Sequence, residues 1–270
     1  MTLDLSSLIP LTIHEFKLFA PTRVNGVDTM AYLDTGANHT TLSPEMAEDL
    51  PRAGSLTIGS AFNQVSVETV ENVRIDFLGE TYTADACVNQ ISASVLPFDA
   101  GITLGAPTIY DRPVVFDFRL LGIMPYHGSL DTLADDGWTP VPVRFMDDRG
   151  LCFVELTGPN GPVSALFDTG AGVSAFNALH TEELGIELGT AYTLAVGDAT
   201  GTQNEQQIAS CSGLRLGALD LPPFDCFAVD LSPVEKVLGY RIDLVLGANA
   251  LLKCGWRWLL AREAEVGGVA

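Results

Sequence analysis

Ala31-Tyr32-Leu33-Asp34-Thr35-Gly36-Ala37 returns 134 positions later as Ala165-Leu166-Phe167-Asp168-Thr169-Gly170-Ala171. Each copy closes an apolar run and opens onto a short helical pattern. A single Asp-Thr-Gly is a weak signal in a chain of this length, so the flanks carry the case. The same offset lays Thr40 on Ser174, Leu42 on Phe176, Ser43 on Asn177, and Glu48-Asp49-Leu50 on Glu182-Glu183-Leu184. A second landmark repeats as well. Ile102-Thr103-Leu104-Gly105-Ala106 corresponds to Leu244-Val245-Leu246-Gly247-Ala248, at an offset grown to 142, so the second copy is longer between its landmarks. Self-similarity over so long a period reads as a duplicated structural unit.

Outward from the two loops, strand patterns dominate. Alternating or β-branched runs cover Leu11–Phe19, Asp28–Leu33, Ser66–Phe77, Pro113–Phe118, Val141–Leu156, Val163–Phe167 and Leu244–Leu246, divided by Gly, Pro, Asn and Asp turns. The expected class is all-β with a few short helices. Val24-Asn25-Gly26-Val27 precedes the first loop and Gly158-Pro159-Asn160-Gly161 the second. Both carry Asn-Gly, so each unit is expected to begin as a hairpin whose second strand delivers the Asp. Ser43-Pro44-Glu45 has the cap and first-turn proline of a helix ending near Leu50-Pro51, and its counterpart starts near Asn177 and stops before Gly185. Trp256 and Trp258 alternate as strand residues. The polar, poorly periodic stretch 125–140 reads as a linker, dividing the chain into lobes 1–124 and 141–270.

Composition excludes several classes. The 270 residues are 47% apolar and 18% charged, enough to bury a substantial core. Fourteen basic residues stand against 34 acidic ones, a formal charge of −20, so a phosphate backbone is an unsuitable partner and no nucleic acid is expected. No uncharged apolar stretch approaches the roughly 20 residues that span a bilayer, and no membrane partner is expected. The N-terminus has no basic region ahead of an apolar core, which points to a cytoplasmic location. Cys87, Cys152, Cys211, Cys226 and Cys254 are odd in number and contain no CxxC pair. They read as buried free thiols, and with four scattered histidines they suggest neither a metal site nor a cofactor.

A strand running straight into Asp-Thr-Gly places a carboxylate at a sharp turn, where Gly admits close backbone approach and Ala leaves room for a partner loop. If two such loops meet about a pseudo-twofold axis, Asp34 and Asp168 stand close together. Two ionised carboxylates a few Å apart repel, so such a pair shares one proton and titrates as a unit. A water between them can give its proton to the charged oxygen while the protonated partner donates to a substrate carbonyl. No covalent intermediate is needed.

These residues resemble the aspartic peptidases. The Asp-Thr-Gly-Ala form on a small lobe is more similar to the retropepsin branch, here as a single-chain tandem of the usual two-chain dimer. The resemblance implies a bilobal acid-protease fold of two β-barrel lobes and a peptide or protein substrate. It also makes a monomer sufficient, since both lobes lie in one chain. It makes Asp34 and Asp168 catalytic. Thr35 and Thr169 would hydrogen-bond across to the opposite loop, and Gly36, Ala37, Gly170 and Ala171 would support the pair. Leu104-Gly105 and Leu246-Gly247 take the places of the apolar-Gly segment that packs beside each loop. Flap hairpins in the family cover the cleft, with tips here at Ile58-Gly59-Ser60-Ala61-Phe62 and Val196-Gly197-Asp198-Ala199-Thr200-Gly201. That gives Gly59, Ser60, Asp198 and Ala199, together with Asn38, as substrate contacts. Gly172 stands where viral members place an acid, so the second lobe lacks that anchor. An endopeptidase is the expected activity, and a catalytically silent peptide-binding or assembly protein is the alternative. A glycosidase fits less well, because it does not explain Thr-Gly after both acids.

Overall fold

The alternating runs become strands throughout the computed structural model, which describes residues 5–59, 64–89, 100–134, 137–146, 149–189, 191–197 and 203–270. The protein is an all-β fold of two lobes with a few short helices. In the first lobe an eight-stranded sheet contains Val27–Asp34 paired in parallel with Ile102–Gly105, so that Asp34 lies opposite Gly105. In the second lobe Gly161–Asp168 pairs in parallel with Leu244–Gly247, and Asp168 lies opposite Gly247. The duplicated landmarks are therefore adjacent strands of one sheet in each lobe.

A third sheet, of six strands, is built from both halves. Ile9–Pro10, Gly122–Pro125 and Val114–Asp117 continue into Arg257–Ala261, Val266–Val269 and Thr139–Val141. Asp117, fully buried, faces Arg257 across the central pair and accepts its guanidinium Nε–H, along with the Arg119 and Leu120 amides. Above this sheet one apolar core runs through both lobes. Phe116 and Trp258 flank Phe167 at ring separations of 6.0 and 5.2 Å. The strand role of Trp258 holds, while Trp256 lies one residue before the strand. Residues 125–140 include a 3-10 turn at Leu130–Thr132 and end within this sheet.

Local chemistry explains where elements differ from the sequence pattern. The run Leu11–Phe19 is split into Thr12–His14 and Lys17–Val24 by a tight turn in which Glu15 and Phe16 adopt φ of 47° and 63°. The run Val141–Leu156 breaks into Thr139–Val141, Val143–Phe145 and Cys152–Gly158. Asn25 and Gly26 both have positive φ, as the first hairpin requires. Residues 44–49 form successive turns rather than the expected helix. Ser43 does cap them, its Oγ accepting the Met46 amide at 3.3 Å. The Glu48 and Leu50 amides bond three residues back, to Glu45 and Ala47, and the Arg52 guanidinium donates to the Ala47 and Leu50 carbonyls at the end of the segment. Its counterpart does form a helix, at Thr181–Leu184, ending on Gly185 with φ of 65°.

Candidate active site

Each signature loop is held in its own lobe by the same device. Six residues after each Asp, a buried hydroxyl receives the amide of the landmark glycine: Thr40 Oγ1 from Gly105 at 3.3 Å, and Ser174 Oγ from Gly247 at 3.0 Å. That hydroxyl is tied in turn to the helix that follows, through Thr108 at 2.9 Å or Asn249 at 2.8 Å. The next amide, of Ala106 or Ala248, donates to the carbonyl of Ala37 or Ala171 at 2.8 Å. Both glycines are sterically required, since a Cβ on Gly105 would collide with the His39 carbonyl and one on Gly247 with the Ala171 carbonyl.

The two loops then meet. Thr35 Oγ1 accepts the Thr169 amide at 2.9 Å and donates to the Phe167 carbonyl at 2.8 Å. Thr169 Oγ1 accepts the Thr35 amide at 3.2 Å and donates to the Leu33 carbonyl at 2.7 Å. Both threonines are fully buried and every polar atom of this reciprocal set has a partner, which makes it rigid and costly to break. The crossing sets each glycine over the other lobe's acid: a Cβ on Gly36 would overlap the Asp168 carboxylate, and one on Gly170 that of Asp34. Asp34 and Asp168 thereby come within hydrogen-bond reach of one another.

The electrostatics follow from that contact. Burial pushes the Asp34 carboxyl up, and the neighbouring Asp168 charge pushes it further, to about 8; the Gly36 and Ala37 amides pull the other way. Burial raises Asp168 too, but the Gly170, Ala171 and Gly36 amides and a hydrogen bond from Asp34 oppose it. Gly170 N and Ala171 N both donate to the same Asp168 oxygen, at 2.8 and 3.0 Å. Both carboxyls are raised, so the pair holds one proton between them.

Asp34, Thr35, Gly36, Ala37, Asp168, Thr169, Gly170 and Ala171 are thus gathered in one place. Asn38, partly exposed, follows the first loop, and Gly59 ends the exposed strand Arg52–Gly59. Ser60, Asp198 and Ala199 lie outside the described residues. Two features escape sequence reasoning. Tyr32, two residues before Asp34, donates its hydroxyl to the Gly170 carbonyl of the other lobe at 2.6 Å. The Glu15-Phe16 turn of the first lobe packs on Gly172 of the second loop, where a Cβ would meet the Glu15 carbonyl at 3.4 Å. Only Tyr32 left a trace in the repeat, as a tyrosine opposite Leu166.

The aspartyl protease family profile matches residues 20–97 and again residues 154–250, one match in each half, and the chain belongs to that family. The double match agrees with a tandem, retropepsin-like arrangement. No curated protein matches the chain. Among the described residues no helix is long and apolar enough to cross a membrane.

Proposed function

We propose that this protein is an aspartic endopeptidase that hydrolyses peptide bonds with a water activated between Asp34 and Asp168. The observation that carries the reading is the reciprocal Thr35–Thr169 grip, which presses two carboxyls into contact so that they share a proton. Asp168, the charged partner, takes a proton from the water as it attacks the scissile carbonyl. Asp34, the protonated partner, donates to the developing oxyanion. The tetrahedral diol then collapses as the proton passes to the leaving nitrogen. No side chain bonds to the substrate. Gly36 and Gly170 leave room for the opposite carboxylate, so that the two acids can meet, and Asn38, Gly59, Ser60, Asp198 and Ala199 contact the peptide. One chain supplies both halves of the dyad, so a monomer suffices.

The test is a diverse peptide library incubated from acid to neutral pH with the wild type, Asp34→Asn and Asp168→Asn, with and without a statine-type transition-state mimic. Cleavage by the wild type alone, blocked by the mimic and reduced about 10³-fold or more in either variant, is expected. Peptide binding of equal strength in all three proteins, with no cleavage in any, would instead establish a silent peptide-binding module.

A further inference from the structure

The dyad is built from two loops of like sequence, but the residues two places before the two acids differ, Tyr32 in the first lobe against Leu166 in the second. Tyr32 Oη donates to the Gly170 carbonyl at 2.6 Å, and that carbonyl belongs to the same planar peptide group as the Ala171 amide. The Ala171 amide in turn donates to Asp168 Oδ1 at 3.0 Å. A hydrogen bond accepted at the carbonyl end of a peptide group withdraws electron density from its N–H and makes that N–H a stronger donor. Tyr32 thus acts on Asp168 through one peptide unit, without touching it. In the mirror position stands Leu166, which has no donor for the Gly36 carbonyl. The Ala37 amide there donates to the main-chain oxygen of Asp34 at 3.3 Å and also draws the Asp34 carboxyl down, with no hydroxyl from the mirror position to strengthen it.

We propose that Tyr32 is a positioning residue that breaks the symmetry of the dyad, strengthening the donors around Asp168 so that Asp168 bears the charge and Asp34 the proton. The inference rests on the reading of the pair as a catalytic dyad. Tyr32 suits the role because it is nearly buried, braced by Phe19 at a ring separation of 5.4 Å, and cannot swing away to water. Burial pushes its phenol well up and the two aspartates push it further, so it stays a donor. The other titratable groups near the site do not compete for the proton. Tyr110 and Cys152, buried below the threonines, are held neutral by burial. His39, lowered by burial and by Arg149, stands beyond Asn38.

The deciding experiment follows the two carboxyl carbons by ¹³C NMR across the pH range, with Asp34→Asn and Asp168→Asn providing the assignments, alongside the pH profile of kcat/KM. Tyr32→Phe, which removes only the hydroxyl, is expected to raise the lower titration, on Asp168, by about half a pH unit. The acid limb of the profile should move with it, costing about threefold in kcat/KM on that limb and little on the plateau. Site-specific 3-fluorotyrosine at position 32, a stronger donor, should move the same titration downward, and it keeps the test alive if Tyr32→Phe folds poorly. An Asp168 carbon that stays put or moves the other way in both proteins overturns the proposal. If the wild type cleaves no peptide, the carbon titrations still decide the role of Tyr32, so the two readings can fail separately.

Discussion

The two lobes make matching hydrogen bonds at their signature loops and diverge in the flanks. At the signature loops, Thr35 answers Thr169, Gly36 answers Gly170, and Thr40 answers Ser174, each pair making equivalent hydrogen bonds. A step away the copies part company. Gly101 of the first lobe stands where the second has Asp243, a buried carboxylate that accepts from Arg241 Nε at 2.6 Å and the Ser164 amide at 2.9 Å and pairs with His180 Nδ1 at 2.8 Å. The lesson is that the constraint lies in reciprocity. A residue whose partner is its own counterpart cannot drift alone, while one that serves only its own lobe can.

The largest effect expected outside the two acids themselves strikes that reciprocal region. Gly36→Ala and Gly170→Ala each drive a methyl into the opposite carboxylate, and each should reduce kcat/KM by about 10²-fold or more, since displacements of about 1 Å at reacting groups are worth that much. The two losses should be alike. If one variant keeps full activity, the lobes are not equivalent at the dyad, and steady-state kinetics on both variants decides it.

On stability the carboxylates themselves have a smaller effect, with a sign that distinguishes them from ordinary ion pairs. Folding raises the Asp34 pKa from 3.8 to about 8, so over that interval the native state holds a proton the unfolded chain has released. The stabilising contribution is complete below 3.8 and is lost as pH climbs through about 8. Asp34→Asn removes this dependence. Its urea midpoint should therefore gain on the wild type as pH rises from acid to mildly alkaline, while its activity is gone. A parallel pair of midpoint curves would show that Asp34 titrates normally.

Much of this architecture can be read from the chain. The repeat of Asp-Thr-Gly-Ala and the Leu-Gly landmarks located the dyad and its neighbouring strands, because the contacts they make demand fixed residue types at fixed spacing. Helix boundaries were less legible. Ser43-Pro44-Glu45 has a sound capping signal, but the Glu48 and Leu50 amides bond carbonyls three residues back instead of four, and the residue pattern does not announce that. The sheet shared by both halves was invisible for a similar reason: the pairing of Asp117 with Arg257 joins residues 140 positions apart. Tyr32 was overlooked because a tyrosine in a strand ordinarily means packing, and only its placement against Gly170 gives the hydroxyl a task.

The last contrast concerns one pair of positions used differently by the two copies. Ser43 and Asn177 are counterparts, both buried, and both opened a helix by sequence. Ser43 makes one local bond, to the Met46 amide, so Ser43→Ala should cost about 1 kcal/mol, the usual worth of such a cap. Asn177 instead ends the strand Ser174–Asn177, and the helix starts further on, at Thr181, behind His180. Asn177 Oδ1 accepts the Leu179 amide at 3.2 Å and the Leu231 amide at 3.4 Å, and its Nδ2 donates to the Ile242 carbonyl at 3.2 Å. It therefore joins three segments of the second lobe, and Asn177→Ala should cost about 3 kcal/mol, because buried groups from each segment lose their partner. Chemical denaturation of the two variants measures the difference. Equal costs would mean that Asn177 is worth no more than one local bond, and that the lobes differ less in their flanks than their side chains suggest.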